Sequence, residues 1–215
     1  MKQYIKSLLS GEVGEAPGRV LFFLSIAVTA VSLIASCSKN DDDGVFDKVW
    51  KQKNEEAFAA IAKNPGYKEL KSLSNYGSIY YKVLKKGEDG AKRVYYNSRA
   101  QVYYKGFYVA AHENIKAGDV FDQRLFEDGI PFNVALSAAV SNQSTTNPNG
   151  YATTITGWTD VLQHMVEGDK WEVWIPYQLG YGQYDVYNSG KLTMKGSTTL
   201  AFEIELVKAI DLNEF

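Results

Sequence analysis

The side chains that could do chemistry in this chain are mostly aromatic. It holds 15 Tyr, 10 Phe and 4 Trp, but only two His and one Cys. His112 and His164 have no metal-ligand spacing and no cysteine partners, so no metal site is expected. No Gly-x-Ser-x-Gly elbow and no phosphate loop is present, which argues against a serine hydrolase or a nucleotide enzyme. What remains is the rings themselves. Such rings either fill a core or line a groove. Taken singly, Trp158 reads as core and Asp122 as a turn or cap residue.

The elements that must position these residues centre on Trp158. Trp158, Val161, Leu162 and Met165 fall at i, i+3, i+4 and i+7, one face of a short helix. Gly168 stands where a left-handed residue would end that helix. A tryptophan opening so short a helix cannot be buried by it alone, so a curved sheet must wrap it. The rest of the chain supplies strands. Segments 78–84, 99–109, 131–136 and 171–175 alternate apolar and polar residues. Segment 200–206 does so most clearly, with Leu200, Phe202, Ile204 and Leu206 on one face. Gly106 predicts a bend or bulge. The expected fold class is α+β, a curved antiparallel sheet wrapped around one short central helix.

Ahead of this lies an N-terminal helical arm over 46–77. It is read as a helix over 46–63 with Phe46, Val49, Trp50, Phe58 and Ile61 as an irregular apolar stripe. Asn64-Pro65-Gly66 ends that helix, and a second helical or turn segment follows over 68–73. Segment 137–151 has no helical or strand period and reads as a long loop, and 183–199 also reads as an extended loop.

The first 36 residues read as a signal peptide. Lys2, Lys6 and Arg19 precede an apolar run too short for an ordinary spanning helix. The run ends in Ile34-Ala35-Ser36-Cys37, which resembles the lipobox of bacterial lipoproteins. A lone cysteine in an exported chain has no internal disulfide partner, and a lipid-bearing thiol explains Cys37. Residues 37–45 form a polar, acidic tether whose Lys39-Asn40-Asp41-Asp42-Asp43 is similar to the surface-export signal of Bacteroidetes lipoproteins. The expected address is the outer membrane, lipid-anchored at Cys37, on its periplasmic face or at the cell surface. The net charge of -2 and pI near 5.8 give no basic excess, so nucleic acid is not an expected partner.

From about residue 100 to 210 the chain resembles the FK506-binding (FKBP) type peptidyl-prolyl isomerases. The resemblance rests on the order of Val102-Tyr103-Tyr104-Lys105-Gly106, Val120-Phe121-Asp122, Pro131-Phe132, Ile155-Thr156-Gly157-Trp158, Tyr181-Gly182 and Leu200-Ala201-Phe202. It implies an isomerase domain over 78–215 and a prolyl pocket with Trp158 as its floor. Carried over position by position, Tyr104, Asp122 and Tyr181 take catalytic roles, and Phe121, Phe132, Ile155, Trp158 and Phe202 bind substrate. Thr154 stands where the family has an aliphatic residue, and Met194 in the flap position. No cofactor, no metal and no covalent intermediate are implied. The partners are proline-containing polypeptides, and the membrane through the anchor. The chain departs from the pattern in longer segments at 107–118, 137–153 and 183–199, which are expected to reshape substrate choice. Two other functions stay open: a catalytically weak polypeptide-binding or chaperone lipoprotein, and a surface glycan binder presenting Tyr184 and Tyr187.

Overall fold

A computed structural model describes residues 47–214 apart from 145 and 148. The signal peptide, Cys37, the tether and Phe46 lie outside the described residues. The first element, α1, runs Lys48–Ala62. Strands follow as β1 (Lys68–Lys71), β2 (Ser78–Lys85), β3 (Arg99–Tyr108), β4 (Val120–Arg124), β5 (Phe132–Ala135) and β6 (Ala152–Thr153). Then come the short helix α2 (Thr156–Leu162), β7 (Lys170–Ile175), β8 (Val186–Asn188), β9 (Lys191–Met194) and β10 (Leu200–Ile210).

One sheet is ordered β1-β2-β7-β10-β3-β5-β6, with β4 also on β3. All its pairings are antiparallel except β5 with β6. β3 divides its length between two partners. Tyr104 to Phe107 pair with β4, and Arg99 to Val102 pair with β5. β8 and β9 form a separate hairpin.

Strand alternation sorts side chains onto two faces. Val173, Ile175, Leu200, Phe202, Ile204 and Leu206 point to the face that holds α2, where they bury Trp158, Val161, Leu162 and Met165. Trp174, Phe107 and Ala201 point the other way and meet Ala57 and Ile61 of α1. Each fully buried aliphatic or aromatic side chain there is worth roughly 1.5–3 kcal/mol. The fold is thus the expected α+β arrangement, with a mostly antiparallel sheet around a short helix.

α1 starts at Asp47, whose carboxylate accepts the Trp50 N–H at 2.8 Å. Its buried stripe is Trp50, Asn54, Ala57 and Ile61. The expected stripe included Val49, which is 60% exposed. The apolar pattern misses the true face because a polar residue sits in it. Asn54 is fully buried and satisfied at both ends: its amide donates to the Trp50 carbonyl at 2.9 Å and its oxygen accepts the Thr199 N–H at 2.9 Å. The Trp50 indole also donates to Thr198 Oγ1 at 3.0 Å. The helix is therefore bonded to the segment that leads from β9 into β10.

Three local expectations are corrected. Segment 68–73 is not helical or a turn; Lys68–Lys71 adds an edge strand on β2. Ser78 to Tyr81 offer it a ladder, and pairing overrides the weak local propensity. Segment 183–199 is not an irregular loop. Ser189 and Gly190 both take positive φ (50° and 78°) and turn β8 into β9. Gly168 is left-handed (φ 86°) but does not end α2. It lies in the turn into β7, where Asp169 accepts the Val166 N–H at 2.8 Å.

The described residues of 137–151 hold one 3-10 turn, Ala138–Val140, and are otherwise irregular as expected, but pinned. Asn142 accepts the Tyr151 N–H at 2.7 Å, and its carbonyl accepts the Asn147 amide at 3.0 Å. Arg99 donates to the Val140 carbonyl at 2.7 Å and lies 5.0 Å from the centre of the Tyr151 ring.

Candidate functional site

A cavity of about 280 Å³ opens beside α2. Its wall gathers Tyr104 from β3, Phe121 and Asp122 from β4, and Phe132 from β5. Ile155 and Trp158 come from the start of α2, Tyr181 from the turn after β7, and Phe202 from β10. The structure thus brings together all eight residues carried over for the pocket. Thr154 also lines the cavity. Met194 does not; it is buried in the core, 5% exposed. The hairpin that carries Met194 pairs with itself and turns this side chain inward. Thr153 lines the cavity and was not foreseen. It gets there because β6 lies parallel to β5, a pairing too short to leave a periodic signal.

Trp158 is 3% exposed and sits under three rings. The Tyr104, Phe202 and Phe132 centroids lie 5.0, 5.3 and 6.3 Å away, with interplanar angles of 82°, 83° and 85°. Edge-to-face contact aims the positive ring edge at the negative ring face and is worth about 0.5–1.5 kcal/mol per pair. Three such contacts fix the indole as a flat base with upright walls. Phe121 closes a further side, 5.5 Å from Phe202.

A β-bulge explains how two neighbours on β4 reach one cavity. Gly106 pairs with Asp122, but Phe107 pairs with Val120, so Phe121 is the extra residue. Strict alternation would send Phe121 and Asp122 to opposite faces. The bulge falls at Gly106, as its glycine predicted. A Cβ there would stand 2.6 Å from Phe121 Cζ and 2.8 Å from Phe202 Cε1. The rings lie where a side chain would be.

Polar groups are few. The Tyr104 hydroxyl donates to Asp122 Oδ2 at 2.6 Å, and Asp122 Oδ1 accepts the Gln123 N–H at 2.9 Å. Burial, then the bond to Asp122, push the Tyr104 hydroxyl well above the ordinary tyrosine value of 10.0. Burial, then the Asp122 charge, also raise Tyr181. Both phenols stay protonated at neutral pH and can act as donors. Among the described residues, the Ile155 backbone N–H meets no acceptor and the Tyr181 hydroxyl makes no hydrogen bond. These two donors are left for something else to satisfy. No group of three His, Cys, Asp or Glu among the described residues is placed to hold a metal ion.

The family profile for FKBP-type peptidyl-prolyl cis-trans isomerases matches residues 90–207, more than half of the chain. The chain belongs to this family. FKBP relatives agree in part of their length. The peptidyl-prolyl cis-trans isomerase FKBP2 of Homo sapiens is 34% identical over 96 residues, 43% of this chain and 63% of that protein. The macrophage infectivity potentiator of Trypanosoma cruzi is 31% identical over 115 residues, 54% of this chain and 45% of that protein. The chain thus spans less than two thirds of these relatives. Among solved structures, a peptidyl-prolyl cis-trans isomerase of Pseudomonas syringae pv. tomato superposes with a TM-score of 0.54 at 24% identity, covering 76% of this chain and 95% of that one. FkpA from Escherichia coli gives 0.51 at 22% identity, covering 77% and 63%. Both establish the shared FKBP fold.

Proposed function

We propose that this FKBP domain is a peptidyl-prolyl cis-trans isomerase that binds proline-containing polypeptides non-covalently in the Trp158 cavity. The observation that carries the reading is the three upright rings on the indole, with two unpaired donors at the rim. Both isomers of an X–Pro bond are accessible, and a peptide bond rotates over a barrier of about 18–20 kcal/mol. A planar amide is more polar than a twisted one, and water favours it. A cavity walled by rings removes that water and lowers the twisted form relative to the planar one. The Ile155 N–H and Tyr181 O–H hold the carbonyls flanking the proline. Asp122 fixes the Tyr104 phenol, and so the ring that stands on Trp158. No bond to substrate is made or broken.

The test is cis-to-trans kinetics on an Xaa-Pro peptide. The parent should be active. Trp158→Ala should lower kcat/KM at least about tenfold, and Asp122→Ala by a smaller factor. An inactive parent, or one indifferent to Trp158→Ala, overturns the reading. A second reading is polypeptide holding without turnover. It is favoured by the β8–β9 region, where Tyr184, Tyr187 and Leu192 are exposed. Peptide binding without rate enhancement would select it. Polysaccharide binding that survives Trp158→Ala would instead select the glycan reading.

The same proposal includes an address. Residues 1–36 are removed as a signal peptide and Cys37 carries the lipid, placing the domain on the outer membrane. Labelled palmitate should enter the parent and not Cys37→Ser. A parent that takes no label overturns the anchor.

A further inference from the structure

A second, smaller groove of about 200 Å³ adjoins the Trp158 cavity. Phe132 is common to both, one ring serving as a partition. Ile130, which is 66% exposed, gives the groove an apolar wall. Asn133, Asn149 and Gly150 give it a polar one. That polar wall is built. The Asn133 amide donates to the Asn149 carbonyl at 2.9 Å, and its oxygen accepts the Gln101 amide at 3.1 Å. The Asn142 contacts hold the rest of the 137–151 loop behind it.

Arg124 stands at the mouth of this groove. It is the direct cross-strand neighbour of Tyr104, a ring that lines the Trp158 cavity. Among the described residues, no carboxylate lies within ion-pairing reach of its guanidinium. The nearby acids are engaged or turned elsewhere. Asp122 accepts from Tyr104 and Gln123, and Asp128 accepts the Leu125 N–H at 2.8 Å. Glu127 lines a third cleft together with Arg124, Tyr103 and Lys105 but does not pair with Arg124. A guanidinium offers five donors in a planar fork that matches a carboxylate.

We propose that this groove is a specificity subsite for the substrate chain leaving the proline pocket, and that Arg124 selects an acidic side chain one or two residues from the proline. This rests on the isomerase reading of the Trp158 cavity for its choice of occupant. Continuity supplies the occupant, because a polypeptide held in the cavity has to leave past Phe132 or the opposite rim. Charge supplies the selectivity. Gln143, Asn149 and Gly150 form the wall that makes the exit a groove.

The experiment uses the full chain and a series of short proline peptides. Glu, Gln or Lys is placed in turn at each of the two positions before and after the proline. Both kcat/KM for isomerisation and Kd by Trp fluorescence are measured at low and high salt. At one position the parent should prefer Glu over Gln by about five- to tenfold, the size of one net hydrogen bond at a solvent-open site, and salt should shrink the ratio. Arg124→Gln should bring the ratio to about one. Arg124→Glu should invert it toward a Lys peptide. A parent with no Glu preference at any position, or a preference that survives Arg124→Gln, overturns the subsite and leaves the isomerase reading standing. If the parent binds but does not isomerise, the isomerase reading falls, and the same ratio in Kd still decides the subsite.

Discussion

Substituting Gly106 by Ala tests whether the cavity depends on a missing side chain. The added Cβ would meet Phe121 Cζ at 2.6 Å and Phe202 Cε1 at 2.8 Å, where ordinary contact begins at 3.4 Å. The contact with Phe121 must therefore open by about 0.8 Å and the contact with Phe202 by about 0.6 Å. Phe202 is 3% exposed and stands against Trp158, so it has nowhere to go. Phe121 is half-buried and swings into the cavity it lines, while the Phe202 contact is relieved by a shift of the β3 backbone. Overpacking of this size costs about 1–3 kcal/mol. A displacement approaching 1 Å in a positioned site costs up to about a hundredfold in rate. Chemical denaturation and the peptide isomerisation assay should both register the change. Phe121→Leu removes the ring atoms that clash. In the double variant the stability losses should fall short of additive by about 1 kcal/mol, while the activity stays low. A Gly106→Ala protein with unchanged midpoint and unchanged kcat/KM, or strictly additive losses in the pair, would refute the reasoning.

Other predictions follow from the same contacts. Asn54→Ala should destabilise by about 1–3 kcal/mol, because it strands the buried Thr199 N–H; denaturant midpoints check this. Tyr104→Phe breaks the 2.6 Å bond to Asp122 and should lower kcat/KM by less than Trp158→Ala does. Ultraviolet titration of the same variant should lose a phenol that ionises above the ordinary 10.0. Asp47 carries the pH dependence of α1. Burial raises its carboxyl, but the Trp50 N–H, Lys195 and His112 outweigh that and hold it below 3.8. A carboxyl lowered in the folded state stabilises above its unfolded value and loses that contribution as pH falls through the folded one. Asp47→Asn should therefore be less stable at neutral pH and show a shallower loss of stability on acidification below about pH 4.

Much of this was legible because each strand carries its own face. Leu200 to Leu206 alternate without a break, and the sheet sorts them as the pattern says. The cavity residues were legible only as an ordered set, since no ring among them is distinctive alone. What was hidden depends on long-range pairing or on a polar residue inside a buried stripe. Asn54 breaks the apolar period of α1, yet its partner Thr199 lies 145 residues away. Lys68–Lys71 becomes a strand only because β2 presents an edge. The β8–β9 hairpin did leave a signal, in the Asn188-Ser189-Gly190-Lys191 turn between β-formers, which could have been read. Arg124 left none, because its significance lies in having no carboxylate partner among the described residues.

The forking of β3 has a consequence for how such a protein can vary. One half of the strand belongs to β4 and the other to β5, so the sheet separates where the cavity opens. The connection from Leu125 to Pro131 bridges that split without being part of either ladder. Changes of length or charge there leave the β3–β10 ladder and the Trp158 base untouched. A substitution in that connection is therefore structurally separable from the ladder that holds the Trp158 base.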